Sequence, residues 1–392
     1  VIGAQHGRSV RARALVVRKT SPPHEASGAG SPRDRRKRKC TRNGMPQRGV
    51  MPRHISLSTA RDTLRTRDDL RVEGWRSRDI QGALADGSLR RVQRNRYISG
   101  RLWLDLWTES QHLLEVASAV GEMRDGAAAL AYESAAVLHG LPLFRHRPAA
   151  VHLTLPQGAR ASSRPGLFRH RDELPEEDVV VMAGIRVTAP ERTVFDLARS
   201  LPLVSAVAAA DAALREVSMN GTRYDHLAAE QWRERMLHRV RRAKGGRGVR
   251  QAEQVILFAD GRSESAGESA PRVQLACLGF ERFALQVAVA GPGGKDYRVD
   301  IGVEDGDPFL VEFDGTGKYA DEALRAGRSL EQVLLEEKRR EDWIRGTTQR
   351  RFVRLEDAHT STPMALAARL AQFGIVLPAG GIRPFRAPQF DR

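Results

Sequence analysis

Cysteine is nearly absent: Cys40 and Cys277 are the only two in 392 residues, far apart and in unlike surroundings. That argues against a disulfide framework or a cysteine zinc site, and for a reducing cytoplasm. Long hydrophobic runs are missing too, so no stretch reads as a membrane span or as the apolar part of a signal peptide. No Gly-x-x-x-x-Gly-Lys-Ser/Thr loop and no Gly-x-Ser-x-Gly elbow occurs, which argues against P-loop NTPases and α/β-hydrolases. Gly291-Pro-Gly-Gly294 reads as a turn rather than a phosphate loop, because no helix follows it. No repeat of 20–50 residues is visible, so a solenoid is not expected.

What the chain has is charge, unevenly placed. The formal net charge is +16, but residues 1–54 hold 14 Lys+Arg against 2 Asp+Glu, leaving a surplus of four for the other 338 residues. The basic pI is therefore compatible with nucleic acid without arguing for it. With 41% hydrophobic and 29% charged residues, the chain reads as soluble and globular, with length for two or three domains. Residues 1–54 lack apolar periodicity, contain Arg33-Asp-Arg-Arg-Lys-Arg-Lys39, and read as disordered. They are either a phosphate-gripping arm or a mis-called start, since Met45 and Met51 precede the first structured signals.

Residues 55–100 carry a compact pattern. Thr66-Arg-Asp-Asp69 predicts a capping box opening a short helix that Gly74 ends. Ser77 is expected to cap a second helix over Arg78–Ala85, stopped by Gly87. Leu89–Ile98 reads as strand, turn and strand, with Asn95 where a positive φ is needed. Helix, turn, helix and β-wing make a winged helix-turn-helix. Arg76, Arg78 and Gln81 then lie where a reading helix meets base edges, and Arg90, Arg91, Arg94 and Arg96 arm the wing against phosphates. A protein-docking winged helix with a solvated basic face is the alternative.

Residues 101–225 read as a mixed α/β middle domain. Helices are expected over Glu109–Val120, Ala128–His139, Pro190–Ala198 and Val204–Val217, and strands over Val151–Leu155 and Gly184–Thr188. No catalytic constellation is evident there; His139 and His152 read as packing or solvated histidines. Residues 226–250 are expected as a basic linker helix, about Ala228–Lys244, broken by Gly245-Gly-Arg-Gly248.

The chemistry-bearing pattern lies further on. Tyr297–Val303 and Phe309–Asp314 alternate with period two around Glu304-Asp-Gly-Asp-Pro308, which predicts an antiparallel hairpin. If Val303 pairs with Phe309, Asp300 falls opposite Glu312, with Cβ atoms about 5 Å apart on one face. Like charges there call for a cation, and hard carboxylate oxygens suit Mg²⁺ or Mn²⁺. The pair also occurs harmlessly on solvated faces, but Phe309-Leu-Val-x-Phe reads as a buried central strand.

Two family resemblances rest on these residues. The wing ending Arg94-Asn-Arg-Tyr-Ile, Ala131-Tyr-Glu-Ser-Ala-Ala-Val-Leu-His-Gly-Leu-Pro142, Thr188–Ala198 and Ala210-Asp-Ala-Ala-Leu214 resemble the AbiEi-type antitoxins of type IV toxin–antitoxin systems. The resemblance implies a DNA-binding head that regulates transcription, an antitoxin-type domain behind it, and a nucleotidyltransferase-type toxin as partner. Residues 260–357 resemble small nuclease-like domains akin to the very-short-patch repair endonuclease, of PD-(D/E)XK fold. That match rests on Glu264, Glu268, Asp300, Val311-Glu312-Phe-Asp314-Gly315, Lys318-Tyr319, Glu337–Trp343 and Arg351–Leu355. It implies a metal held by Glu268, Asp300 and Glu312, with a metal-activated water hydrolysing a DNA phosphodiester. Asp314 and Lys318 are then auxiliaries, and Arg340 a phosphate contact.

Two departures stand against the second resemblance. Asp314 occupies the position of the family's lysine, and Pro271 implies that the helix bearing Glu268 starts near that residue. The expected fold is α+β and multidomain: a winged helix over 55–100, a middle domain over 101–225, a linker helix over 226–250, a restriction-endonuclease-like domain over 251–375 and a tail over 376–392. The expected function is metal-dependent cleavage of duplex DNA. The alternative is an AbiEi-like regulator whose nuclease fold is inactive.

Overall fold

The computed structural model describes residues 54–121, 127–157, 163–315 and 329–387. Lys318 and, apart from His54, the basic segment 1–54 lie outside them. The described residues all fall within the unit Met51–Arg392, and they form an α+β protein.

Helices α1 (Leu57–Thr63), α2 (Arg67–Val72) and α3 (Ser77–Ala85) come first, followed by β1 (Leu89–Gln93) and β2 (Arg96–Ser99). The Thr66–Asp69 capping box opens α2 as the spacing predicts. Ser77 is the first residue of α3 rather than its cap; Arg76 precedes the helix and its backbone N–H donates to Asp79 Oδ2 at 2.8 Å. Leu70, Ile80, Ala83, Leu89 and Tyr97 form the small core that ties these helices to the hairpin. Asn95 turns the hairpin at φ 57°.

Next come α4 (Gly100–Asp105), α5 (Thr108–Val120), β3 (Ala129–Leu130), α6 (Tyr132–Leu138), β4 (Val151–Leu155), β5 (Leu167–Arg171), β6 (Val179–Met182) and β7 (Ile185–Thr188). The strands form one sheet in the order β5-β4-β3-β7-β6. The helix expected over 128–139 therefore begins as strand. Leu130 pairs with Leu153 on one side and Val187 on the other, and a short apolar run fits a buried strand as well as a helix. Strands β5 and β6 escaped the pattern, because Leu-Phe-Arg-His-Arg and Val-Val-Val-Met lack clean alternation.

Helices α7 (Pro190–Ser200), α8 (Leu203–Ser218), α9 (His226–Arg242), α10 (Val249–Phe258) and α11 (Ala266–Cys277) follow, with a small hairpin of β8 (Met219–Asn220) and β9 (Arg223–Tyr224) between α8 and α9. They share one apolar core that takes in Trp232, Met236 and Val240 of α9. The segment expected as a linker helix is thus packed along one face. Three of its arginines are paired, Arg233 with Glu230, Arg235 with Glu191 and Arg239 with Asp178. Helix α11 starts at Ala266, two residues before the position inferred from Pro271. Ser265 caps it, and Pro271 lies inside the helix.

The last sheet holds β10 (Phe283–Ala290), β11 (Asp296–Val303), β12 (Phe309–Phe313) and β13 (Arg351–Leu355) in that order, with α12 (Leu330–Thr348) before β13 and α13 (Pro363–Gln372) after it. The β11–β12 pair is antiparallel with Val303 opposite Phe309, the expected register, and β13 runs parallel to β12. Ile301, Val303, Phe309, Val311 and Val353 bury one face with Leu275, Leu366 and Leu370. On the other face Val299, Leu310 and Phe352 pack with Ile344 of α12. Glu312 alternates onto that second face, beneath α12.

Candidate functional site

The acidic face of the last sheet brings most of the expected metal-site residues together, but around arginines. Glu312 is 5% exposed. Arg340, which stands i+3 from Glu337 on α12, donates through Nη1 to both Glu312 carboxylate oxygens and to Glu337 Oε1, each at 2.9 Å. Its Nη2 donates to the Arg298 carbonyl. Arg354 on β13, the register partner of Glu312, donates to Asp314 at 3.0 Å, Glu337 at 2.6 Å and Glu341 at 2.7 Å. Asp300 Oδ2 accepts from the Phe313 backbone N–H at 2.9 Å. Burial pushes the Glu312 carboxyl up to about 7; Arg340 pulls it down, and the neighbouring charges of Asp300 and Glu337 add to the rise.

Glu268 has a helix-capping part here. Its Oε2 accepts from the Glu264 backbone N–H at 2.8 Å, its Oε1 accepts from Ser265 Oγ at 3.0 Å, and Gln286 reaches Oε2 at 3.3 Å. Among the described residues no three His, Cys, Asp or Glu side chains converge in a metal-holding arrangement. Both Glu312 oxygens are engaged by the Arg340 guanidinium, whose positive charge meets the carboxylate where a divalent cation was expected. Glu337 and Arg354, expected only within the stretches Glu337–Trp343 and Arg351–Leu355 and with no site role, belong to this face. The 337, 340, 341 spacing along one helix face was the signal available for Glu337; Arg354 joins only through the parallel β12–β13 pairing.

The helices and hairpin of residues 55–100 present a second charged surface. Arg76, Arg78 and Gln81 at the start of α3 are exposed, as are Arg90, Arg91 and Arg94 of the hairpin, while Arg96 is half-buried. Three of these have internal partners: Arg78 lies 3.7 Å from Asp79, the Arg90 guanidinium sits 4.4 Å from the Trp103 ring centre, and Arg96 Nη1 donates to the Asn95 carbonyl at 3.4 Å. Asn95 Oδ1 accepts from the Arg67 backbone N–H at 2.9 Å, which ties the hairpin turn to the start of α2.

A third cluster lies where no constellation was expected. Glu133, buried on α6, accepts from His146 Nε2 at 3.0 Å and faces His152 Nε2 at 3.8 Å. His152 Nδ1 shares a hydrogen bond with His170 Nε2 at 2.8 Å, and His170 stacks on Tyr132 with ring centres 4.0 Å apart. Tyr132 holds φ at 51°, a conformation costly for a bulky side chain. Burial depresses His152, against the pull of Glu133, and pushes His170 down to about 4, aided by the charge of His152. Beside them Ser134 Oγ meets His112 Nε2 at 2.9 Å, and His112 Nδ1 meets Glu115 at 2.9 Å. That is the connectivity of a Ser-His-acid triad. Yet Ser134 is 0% and His112 2% exposed, so no substrate reaches the hydroxyl. The other histidine singled out, His139, bonds the Thr188 carbonyl at 2.7 Å and is structural.

Residues 127–245, which include this histidine cluster apart from His112, match the family described as the AbiEi antitoxin C-terminal domain. Two relatives, the uncharacterized proteins MT2308 and Rv2248 of Mycobacterium tuberculosis, are each 31% identical over 202 residues, covering 51% of this chain and 68% of theirs. The chain belongs to one family with these mycobacterial proteins. The crystal structure of the RV2827C protein of M. tuberculosis covers 52% of this chain and 73% of its own at 18% identity, with a TM-score of 0.28, too low to establish a shared fold.

Proposed function

We propose that this chain is an AbiEi-type antitoxin and DNA-binding regulator, and that its acidic C-terminal sheet is not a working nuclease centre. The match of residues 127–245 to the antitoxin domain carries the reading. In it, residues 55–100 are a winged helix: α3 enters the major groove with Arg76, Arg78 and Gln81, and Arg91, Arg94 and Arg96 of the hairpin meet phosphates. Exposure of all but Arg96 supports that assignment. The partner such a domain implies is the toxin of a toxin–antitoxin system, of nucleotidyltransferase type. In the C-terminal region, over 251–375, Arg340 stands where a nuclease would carry its divalent cation. Its bond to both Glu312 oxygens supports the inactive reading over cleavage.

Binding of duplex DNA from the chain's own upstream region, followed by anisotropy across salt concentrations, tests the reading. Replacing Arg91 and Arg94 with alanine is expected to weaken binding on all sequences and to lower the salt slope by about one for each phosphate no longer neutralised. Arg78→Ala is expected to weaken specific binding more than non-specific binding. No duplex binding at low salt, or magnesium-dependent cleavage abolished by Asp300→Ala, would overturn it.

A further inference from the structure

The four-residue cluster in the antitoxin-like domain is built from titratable groups on separate elements. Glu133 comes from α6, His146 from the loop after it, His152 from β4 and His170 from β5. The other ionisable groups facing them are His112 with Glu115 from α5, Tyr132 from α6, Arg199 with Asp196 from α7, and Asp172 just past β5. Arg199 is committed elsewhere: it donates to Asp172 at 2.8 Å and to the Tyr132 hydroxyl at 3.0 Å, and it lies 3.1 Å from Asp196. Glu133 is therefore the carboxylate that receives His146 and faces His152.

We propose that Glu133, His146, His152 and His170 form an acid-sensitive latch that holds β5 on β4 at neutral pH and releases it as the cluster takes up protons. The argument is one of lone pairs. The 2.8 Å contact between His152 Nδ1 and His170 Nε2 is an N–H···N bond, which needs a proton on one ring and a lone pair on the other. A first added proton is accommodated: an imidazolium at His152 directs Nε2–H toward Glu133 and Nδ1–H toward His170. A second proton removes the remaining lone pair. Two cationic N–H groups then face each other, and attraction turns to repulsion. Strand β5 is at the sheet edge; among the described residues β4 is the one strand it pairs with, from Val151 opposite Leu167 to Leu155 opposite Arg171, and Leu167 also bridges Arg164. Among the described residues no further strand holds it once the histidine link fails, and release bares the backbone edge of β4.

Both histidines bind protons less readily in the folded chain than in the unfolded one, because burial works against their charged forms. The stability His170 contributes is complete above the ordinary histidine value near 6.5 and is lost as pH falls from there toward about 4; the His152 contribution is lost in the same direction.

Amide hydrogen exchange on the full chain, corrected for intrinsic rates, tests the latch. Protection in peptides covering Leu167–Arg171 should fall at least about tenfold between pH 7 and pH 5, while β12 and β13 stay protected. His170→Phe keeps a ring on Tyr132 but cannot take a proton, which leaves His152 alone to titrate, so the fall in its β5 protection with pH should be clearly smaller than in the wild type. Glu133→Gln removes the charge that accommodates the first proton, so release should move to higher pH. It decides the matter if His170→Phe does not fold. Flat β5 protection in the wild type, a loss in His170→Phe as large as in the wild type, or an unmoved release pH in Glu133→Gln would each overturn the proposal.

Discussion

Replacing Glu312 with glutamine should make the protein's stability less dependent on pH, in a direction the structure dictates. The native Glu312 carboxyl holds its proton up to about 7, because burial disfavours the anion more than Arg340 restores it, whereas an unfolded glutamate releases it near 4.5. Between those values the native state binds the extra proton. The stability it contributes is complete below 4.5 and is lost as pH rises through 7. At 1.36 kcal/mol per pH unit the loss is about 3 kcal/mol. Glutamine keeps the shape and one acceptor for Arg340 and does not titrate. The stability of Glu312→Gln relative to wild type should therefore improve by about 3 kcal/mol from pH 4.5 to pH 8. Urea unfolding of both proteins across that range measures it, and taking the difference cancels every other titrating group. A difference that stays flat would show that Arg340 fully offsets the burial and that Glu312 ionises like an ordinary glutamate. Repeating the series with Mn²⁺ probes the competing chemistry. Mn²⁺ that stabilised wild type but not Glu312→Gln would mean that Arg340 yields to a metal, and the inactive-sheet reading would fail.

Three other substitutions probe the frame around these sites. A Cβ at Gly267 would come within 2.2 Å of the Phe313 ring, so Gly267→Ala should shift α11 against β12 and cost about 1–3 kcal/mol in urea unfolding. Asn95 combines φ 57° with a hydrogen bond from Arg67, so stability should fall in the order Asn, Gly, Val, with Asn95→Val costing about 2 kcal/mol; thermal melts of the three forms read it. Trp232 is 1% exposed in the core shared by α7–α11, and Trp232→Ala should cost about 3–5 kcal/mol in chemical denaturation. A loss under about 1 kcal/mol there would mean that α9 is not packed as described.

Local chemistry was legible in the residues. Thr66 and Asp69 are close enough in sequence to cap a helix whatever surrounds them, and Asn95 sits at a hairpin turn whose φ few other residues tolerate. The β11–β12 register followed from a turn symmetric about Gly306 and from alternation that puts Phe309 and Val311 on one face. Two kinds of information were not legible. The pattern at 128–139 could not distinguish strand from helix, because Leu130 is buried on both sides by β4 and β7, which lie 20 or more residues away. The acid pair at Asp300 and Glu312 could not announce its cation: a guanidinium and a divalent metal meet the same electrostatic demand, and only the packing of α12 on the sheet puts Arg340 there.

What the sequence determined by itself is therefore the local vocabulary: caps, turns, the hairpin register, a basic N-terminal stretch and a like-charge pair in need of neutralisation. What only the tertiary structure decided is which distant groups meet. His146, His152 and His170 are ordinary histidines where they stand in the chain. They become a coupled set because parallel pairing of β4 and β5 brings two rings to 2.8 Å and α6 lays Glu133 beside them. Proton affinity depends on burial and on charges a few ångströms away, and neither quantity exists until the chain has folded.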